Sequence, residues 1–166
     1  MDNTKASARI KLLDVVNGFR SSVQSRSVAL DTTAEYQAYM DQRAAEKAKQ
    51  YAETRTTDHS GQTIQDKYNV ISTENISGTL IISSDSLDAQ IKSLVDIQHR
   101  DSQEEKDDYE AVNIRHERNY LINSAGTVLH YINFIDSRAT KVIFGIGTYT
   151  KADLTYIVTV AAVIMG

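Results

Sequence analysis

The chain has 166 residues, a formal net charge of -4, and no Cys, Pro or Trp. The missing Cys excludes disulfides, thiolate catalysis and thiolate metal sites, and the acidic balance gives no electrostatic footprint for a nucleic-acid backbone. The length suits one domain with a real core and is marginal for two.

The first residues lack a signal-peptide apolar region, and Asp2 stands where myristoylation needs Gly, so cytoplasmic synthesis is expected. Ile10, Leu13, Val16 and Phe19, widened by Leu12, Val15 and Val23, give an amphipathic helix from Thr4 to about Ser22, weakened by Gly18. Ser25 to Leu30 reads as a connection. Thr32 or its neighbours Asp31 and Thr33 supply an N-cap, with Glu35 completing a capping box, for a helix from about Thr33 to Arg55. That helix carries an Ala row (Ala34, Ala38, Ala45, Ala48, Ala52) and a second row of Tyr36, Met40, Ala44 and Tyr51. Small residues let another helix approach closely, or Ala serves only as a helix former on a half-wet face.

The polar stretch from Thr56 to Thr63 divides an expected N-terminal helical arm, 1–60, from a body, 61–166. Tyr68 to Ser72 and Gly78 to Ser83 read as strands, with Thr73, Glu74 and Asn75 turning the chain between them. Ser84, Asp85 and Ser86 cap a helix from Leu87 that buries Leu87, Ile91, Leu94 and Val95. Ser102 to Glu105 has the pattern of a second capping box, so a new helix is expected there, with Tyr109, Val112, His116 and Tyr120 on one face and an end near Ser124. The surrounding Asp101, Glu104, Glu105, Asp107 and Asp108 suit the positive end of a helix dipole, and their spacing matches no recognised oxygen-ligand loop. Thr127 to Ile135 alternates as a strand, with a helix as the alternative.

The last segment, Lys141 to Gly166, dominates the apolar content. As a helix, the run from Leu154 to Met165 would reach about 18 Å, short of the roughly 30 Å that a bilayer requires. Its β-branched and aromatic residues favour a strand, and Val142 to Tyr149 forms the first arm of a hairpin turned at Thr150 to Asp153. In the first arm Val142, Phe144 and Ile146 face one way, while Ile143, Gly145, Gly147 and Tyr149 face the other, leaving a flat patch where a backbone can come close. The second arm is apolar on both faces and belongs in the middle of a covered sheet. Helices of the same chain, or other copies and partners, could supply the cover, since an exposed flat hairpin would aggregate.

His59, His99, His116 and His130 make no metal-binding pair in sequence; His99 reads as a cation at a helix C-terminus and His116 as a solvated helix residue. Gly145-Ile146-Gly147 lacks the third Gly of a dinucleotide fingerprint, and no P-loop or nucleophile-elbow pattern occurs. No catalytic, cofactor-binding or metal residue is therefore assigned. Nine Tyr residues support contact surfaces.

These observations predict an α+β fold: a helical arm, then a small antiparallel sheet covered by helices, ending in an apolar hairpin. The expected function is a non-enzymatic structural subunit of a homo-oligomeric, ring-like assembly in a virus or phage particle, such as a connector, collar or tail protein. Its partners would be copies of itself and other subunits, without nucleic acid, cofactor or small-molecule substrate. The expected contact residues are Tyr36, Met40, Tyr51, Phe144, Ile146, Tyr149, Tyr156, Val158 and Val160. Two alternatives stand beside it: a membrane-active protein inserting its C-terminal segment, and a small enzyme with an interface site.

Overall fold

A computed structural model of the chain describes residues 2–82, 86–114 and 129–166. Its elements in order are α1 (Asp2–Ser22), β1 (Ala29–Leu30), α2 (Ala34–Thr54), α3 (Ile64–Tyr68), β2 (Ser72–Ile82), α4 (Leu87–Ile114), α5 (Leu129–Ile135), β3 (Ala139–Lys151) and β4 (Leu154–Met165). The strands form one sheet in the order β1-β3-β4-β2. The architecture is α+β, and the sheet is mixed: β4 is antiparallel to β3 and β2, while the two residues of β1 run parallel to β3.

The terminal hairpin is the centre of the molecule. Val158, Val160, Ala162 and Ile164 of β4 meet Met40, Ala44 and Ala48 of α2 on one face, and Ile157, Ala161 and Val163 join Ala8, Leu12 and Val16 of α1, Leu94 of α4 and Phe134 of α5 on the other. The chain's own helices thus cover the two-sided strand, and each large side chain so buried contributes roughly 1.5–3 kcal/mol. Residues 1–60, expected as an arm, supply one helix to each face.

The flat glycine patch is where α2 rests. A Cβ on Gly145 would lie 2.1 Å from the Met40 carbonyl oxygen, and one on Gly147 would lie 2.1 Å from the Ala45 backbone nitrogen. Close approach to the small-residue helix comes from the sheet rather than from another helix, and the buried row is Met40, Ala44, Ala48 and Ala52, with Arg43 and Lys47 beside it.

Beyond β1, side chains finish the edge of β3. Phe144 O accepts from Arg9 Nε (3.1 Å) and Gln37 Nε2 (2.9 Å), Ile146 N donates to Asp41 Oδ1 (3.0 Å), and Arg9 Nη2 closes onto Asp41 at 2.7 Å. These side chains take the place of a neighbouring strand at Phe144 and Ile146. Buried Arg20 binds the carbonyls of Phe134 and Asp136 at 2.9 and 2.8 Å, where a cation complements the end of α5.

Several sequence expectations are corrected. Thr33 is the N-cap of α2 but makes no side-chain cap bond, so the box with Glu35 does not form. The two expected strands at 68–72 and 78–83 are one, Ser72–Ile82, preceded by a short helix; Thr73, Glu74 and Asn75 lie within the strand. No helix starts at Ser102, which is buried inside a continuous α4 and accepts from Gln98 Nε2 at 3.0 Å. The expected strand at 127–135 is helical from Leu129 to Ile135, because its apolar residues pack on α1 and α4 rather than alternating between faces. The expected helix end near Ser124, with His116 and Tyr120, lies outside the described residues.

Candidate functional site

Two adjacent residues of edge strand β2 organise the site. Successive strand residues point to opposite faces: Glu74 pairs in register with Ala162, which faces α2, and Asn75 with Ala161, which faces α1, α4 and α5. A Glu-Asn pair is poor strand sequence, and both side chains are held by specific partners.

On the α2 side, Arg43 grips Glu74 bidentately, with Nε to Oε2 at 2.6 Å and Nη2 to Oε1 at 2.8 Å. His59 Nδ1 lies 2.8 Å from the same Oε1. Arg43 also donates to the carbonyls of His59, Ser60 and Gln62, and Lys47 Nζ reaches Asp58 Oδ1 (3.1 Å) and Ser60 O (2.9 Å). Two buried cations of α2 thus fold the polar loop back and present its exposed imidazole. Burial pushes the Glu74 carboxyl up, but hydrogen bonds from Arg43 and His59 outweigh it and leave the group below its ordinary range.

On the other side, fully buried Asn75 donates through Nδ2 to the His130 carbonyl (3.1 Å) and accepts from Asn133 Nδ2 (2.7 Å), which fixes the start of α5 against β2. Glu105 of α4 accepts the Tyr131 N–H at 2.8 Å, and its other oxygen lies 3.6 Å from His130 Nδ1. That nitrogen is buried and has no hydrogen-bond partner among the described residues. Burial, abetted by the nearby Asp101 and Asp108 charges, raises the Glu105 carboxyl to about 7 against the two backbone donors that lower it. The His130 imidazole is pushed below its usual range by burial and by His59 across the strand, with Asp101 acting in the opposite sense. An imidazole held neutral thus faces a carboxyl that titrates near neutrality.

Among the described residues, no group of three or more His, Asp or Glu side chains is placed to hold a metal ion. In the tautomer that carries its proton on Nε2, neutral His130 presents Nδ1 as an acceptor beside the Glu105 carboxyl.

The residues expected to form contacts between molecules sit mostly inside this one. Met40, Val158 and Val160 lie in the α2-side core, and Phe144 and Ile146 in the opposite core. Buried Tyr156 meets Tyr51 edge-on at 5.4 Å, while Tyr36 and Tyr149 are half-buried around α2. His99 is not at a helix end; it lies within α4 with its ring 5.9 Å from that of Phe19. The site residues Arg43, His59, Glu74, Asn75, Glu105 and His130 were not selected from sequence. The available signals were two polar residues between β-branched ones and a capping pattern with no helix start.

No family model and no curated protein matches the sequence. Among solved structures, the crystal structure of MpPR-1i soaked with selenourea is 15% identical and superposes with a TM-score of 0.50, covering 96% of this chain and 91% of that one. The hookworm platelet inhibitor (13% identical, TM-score 0.41, 92% and 67% covered) and NaASP2 with Zn2+ (15%, 0.44, 93% and 78%) are more distant. The likeness to MpPR-1i is one of fold, and it corrects the expected role: the architecture resembles that of MpPR-1i, not of a virus or phage connector, collar or tail subunit. The expected final location in a virus particle is corrected with it. The premise of that role, an uncovered apolar hairpin, is removed by α1, α2, α4 and α5. No helix among the described residues is long and apolar enough to cross a membrane.

Proposed function

We propose that the protein is a non-catalytic binding protein that captures the primary ammonium group of a small organic ligand at the rim of β2, between Glu105 and His130. The observation that carries this reading is the unpartnered His130 Nδ1, 3.6 Å from Glu105 Oε1. One ammonium nitrogen can span that separation side-on with two hydrogen bonds of about 2.8 Å. It would relieve both a buried acceptor without a donor and a desolvated carboxylate without a counter-charge. Asp101 and Asp108 add negative potential at the same place, and exposed His59 acts electrostatically on His130 from the other side of β2.

The test is an NMR titration of the full chain with n-butylammonium, using neutral n-butanol as control and reading the ring resonances of His130 and His59. Saturable shifts at His130 that disappear in Glu105→Gln support the reading. Shifts that are equal for the alcohol, or that survive the substitution, overturn it.

A further inference from the structure

Three tyrosines lie on the α2 side, adjoining the His59 loop but outside the Glu105–His130 pair. The rings of Tyr36 and Tyr68 are tilted at 47° with centroids 4.9 Å apart, and those of Tyr39 and Tyr68 are nearly perpendicular, at 89° and 5.7 Å. The two perpendicular rings make a corner that is already occupied: Lys67 Nζ stands 4.6 Å from the Tyr39 centroid and 5.5 Å from that of Tyr68.

Hydrogen bonds hold both sides of the corner. The Tyr39 hydroxyl donates to the Gln62 carbonyl. Tyr68 closes α3, a single turn held at its start by a reciprocal capping box, with Asp66 N donating to Thr63 Oγ1 (3.2 Å) and Thr63 N to Asp66 Oδ2 (3.0 Å). Left-handed Asn69 ends the turn, its N–H bonded to Gln65 O. The rings are half-buried, whereas Lys67 is exposed. Acidic groups surround the corner: Glu35 hydrogen-bonds Tyr68, and Glu46, Glu74 and Asp66 lie within electrostatic reach of Tyr39. The one guanidinium acting on Tyr39, that of Arg43, is engaged by Glu74.

We propose that this corner is a binding seat for a quaternary ammonium group, as carried by choline, and that Lys67 is its displaceable plug. A lysine ammonium is compact and strongly hydrated, and its flexible stem loses entropy when the head is held in one place. A trimethylammonium group has no N–H to satisfy and spreads its charge over methyl groups that lie flat on ring faces, so it gains more from the same two tyrosines. The surrounding carboxylates attract its charge and repel a phosphate, which makes free choline the preferred ligand over phosphocholine. This seat requires a cation without donors, whereas the Glu105–His130 pair requires a cation with them; the two readings stand or fall separately.

The experiment is an NMR titration of the full chain with choline chloride at constant ionic strength, following the tyrosine ring resonances, with sodium chloride and phosphocholine as parallel arms. The expected result is saturable shifts confined to Tyr36, Tyr39 and Tyr68 in the millimolar range, tightened about threefold or more by Lys67→Ala and lost in Tyr68→Leu. Should Tyr68→Leu fail to fold, Tyr39→Leu serves in its place, and the gain in Lys67→Ala needs neither. The proposal is overturned if Lys67→Ala shows no saturable shift, if sodium chloride reproduces the shifts, or if phosphocholine binds as tightly as choline.

Discussion

Glu105 of α4 receives the backbone N–H of Tyr131, in α5, at 2.8 Å. A carboxylate whose sequence context matches the cap of its own helix therefore serves the first turn of another, and the contact carries His130 to within 3.6 Å of the same carboxyl. The site is a product of this exchange: α4 runs unbroken through Ser102, and the acid that looked like punctuation is turned inward.

The linkage of Glu105 to stability has a definite sign. Its folded value, about 7, lies above the ordinary carboxylate value of 4.5, so between them the native state holds more proton than the unfolded state and stability falls as pH rises. Solvent contact screens the effect to about 1–2 kcal/mol. Urea unfolding of Glu105→Gln should therefore show a shallower loss of stability from pH 5 to pH 8 than the parent chain, even though Gln also loses the carboxylate contact to Tyr131. A steeper loss in the variant would contradict the assignment.

His130 acts in the opposite direction. Its folded value is depressed, so the unfolded chain takes up the proton first and stability is lost as pH falls below about 6.5. His130→Gln should flatten that acid limb while leaving the neutral-pH decline due to Glu105 in place; chemical denaturation at pH 5, 6 and 8 separates the two.

The Arg43–Glu74 pair is nearly solvent-free, at 3% and 10% side-chain exposure. Replacing Arg43 with Met leaves the buried Glu74 carboxylate with His59 in place of a bidentate cation and takes one donor from each of three loop carbonyls, of which Ser60 keeps Lys47 and Gln62 keeps Tyr39; the loss should cost about 3 kcal/mol. Amide exchange should quicken across residues 56–63 before the rest of the chain. Uniform acceleration would mean that Arg43 is not what holds the loop.

Glycines 147 and 18 give opposite outcomes to the same substitution. Gly147→Ala drives a methyl group into the backbone of Ala45 and should destabilise by at least about 2 kcal/mol. Gly18 in α1 has nothing within 4 Å of its would-be Cβ, and it lines an open groove of about 480 Å³ beside α4. Gly18→Ala should stabilise by about 0.5–1 kcal/mol through helix propensity. Denaturation midpoints of the two variants check both signs.

That glycine face was legible because strand alternation has a period of two: Ile143, Gly145 and Gly147 could only share one side, and a bare side needs a close neighbour. The sequence did not reveal that the neighbour is α2, since nothing local distinguishes an intrachain helix from a second copy. Glu74 and Asn75 were misread for a related reason. Propensity places such residues in a turn, and partners distant along the chain, among them Arg43, 31 positions away, and Asn133, 58 positions away, make a strand interior tolerable for them. The imidazoles are likewise far apart along the chain, and β2 brings them to its two sides.

The most direct test of the account is calorimetric titration of the full chain with n-butylammonium at pH 6 and pH 8, repeated on Glu105→Gln. An ammonium binds the ionised carboxyl, so affinity should be higher at pH 8, and the variant should lose both the binding and its pH dependence. Equal affinity at the two pH values, or undiminished binding by the variant, would contradict the claim that Glu105 and His130 form the binding site.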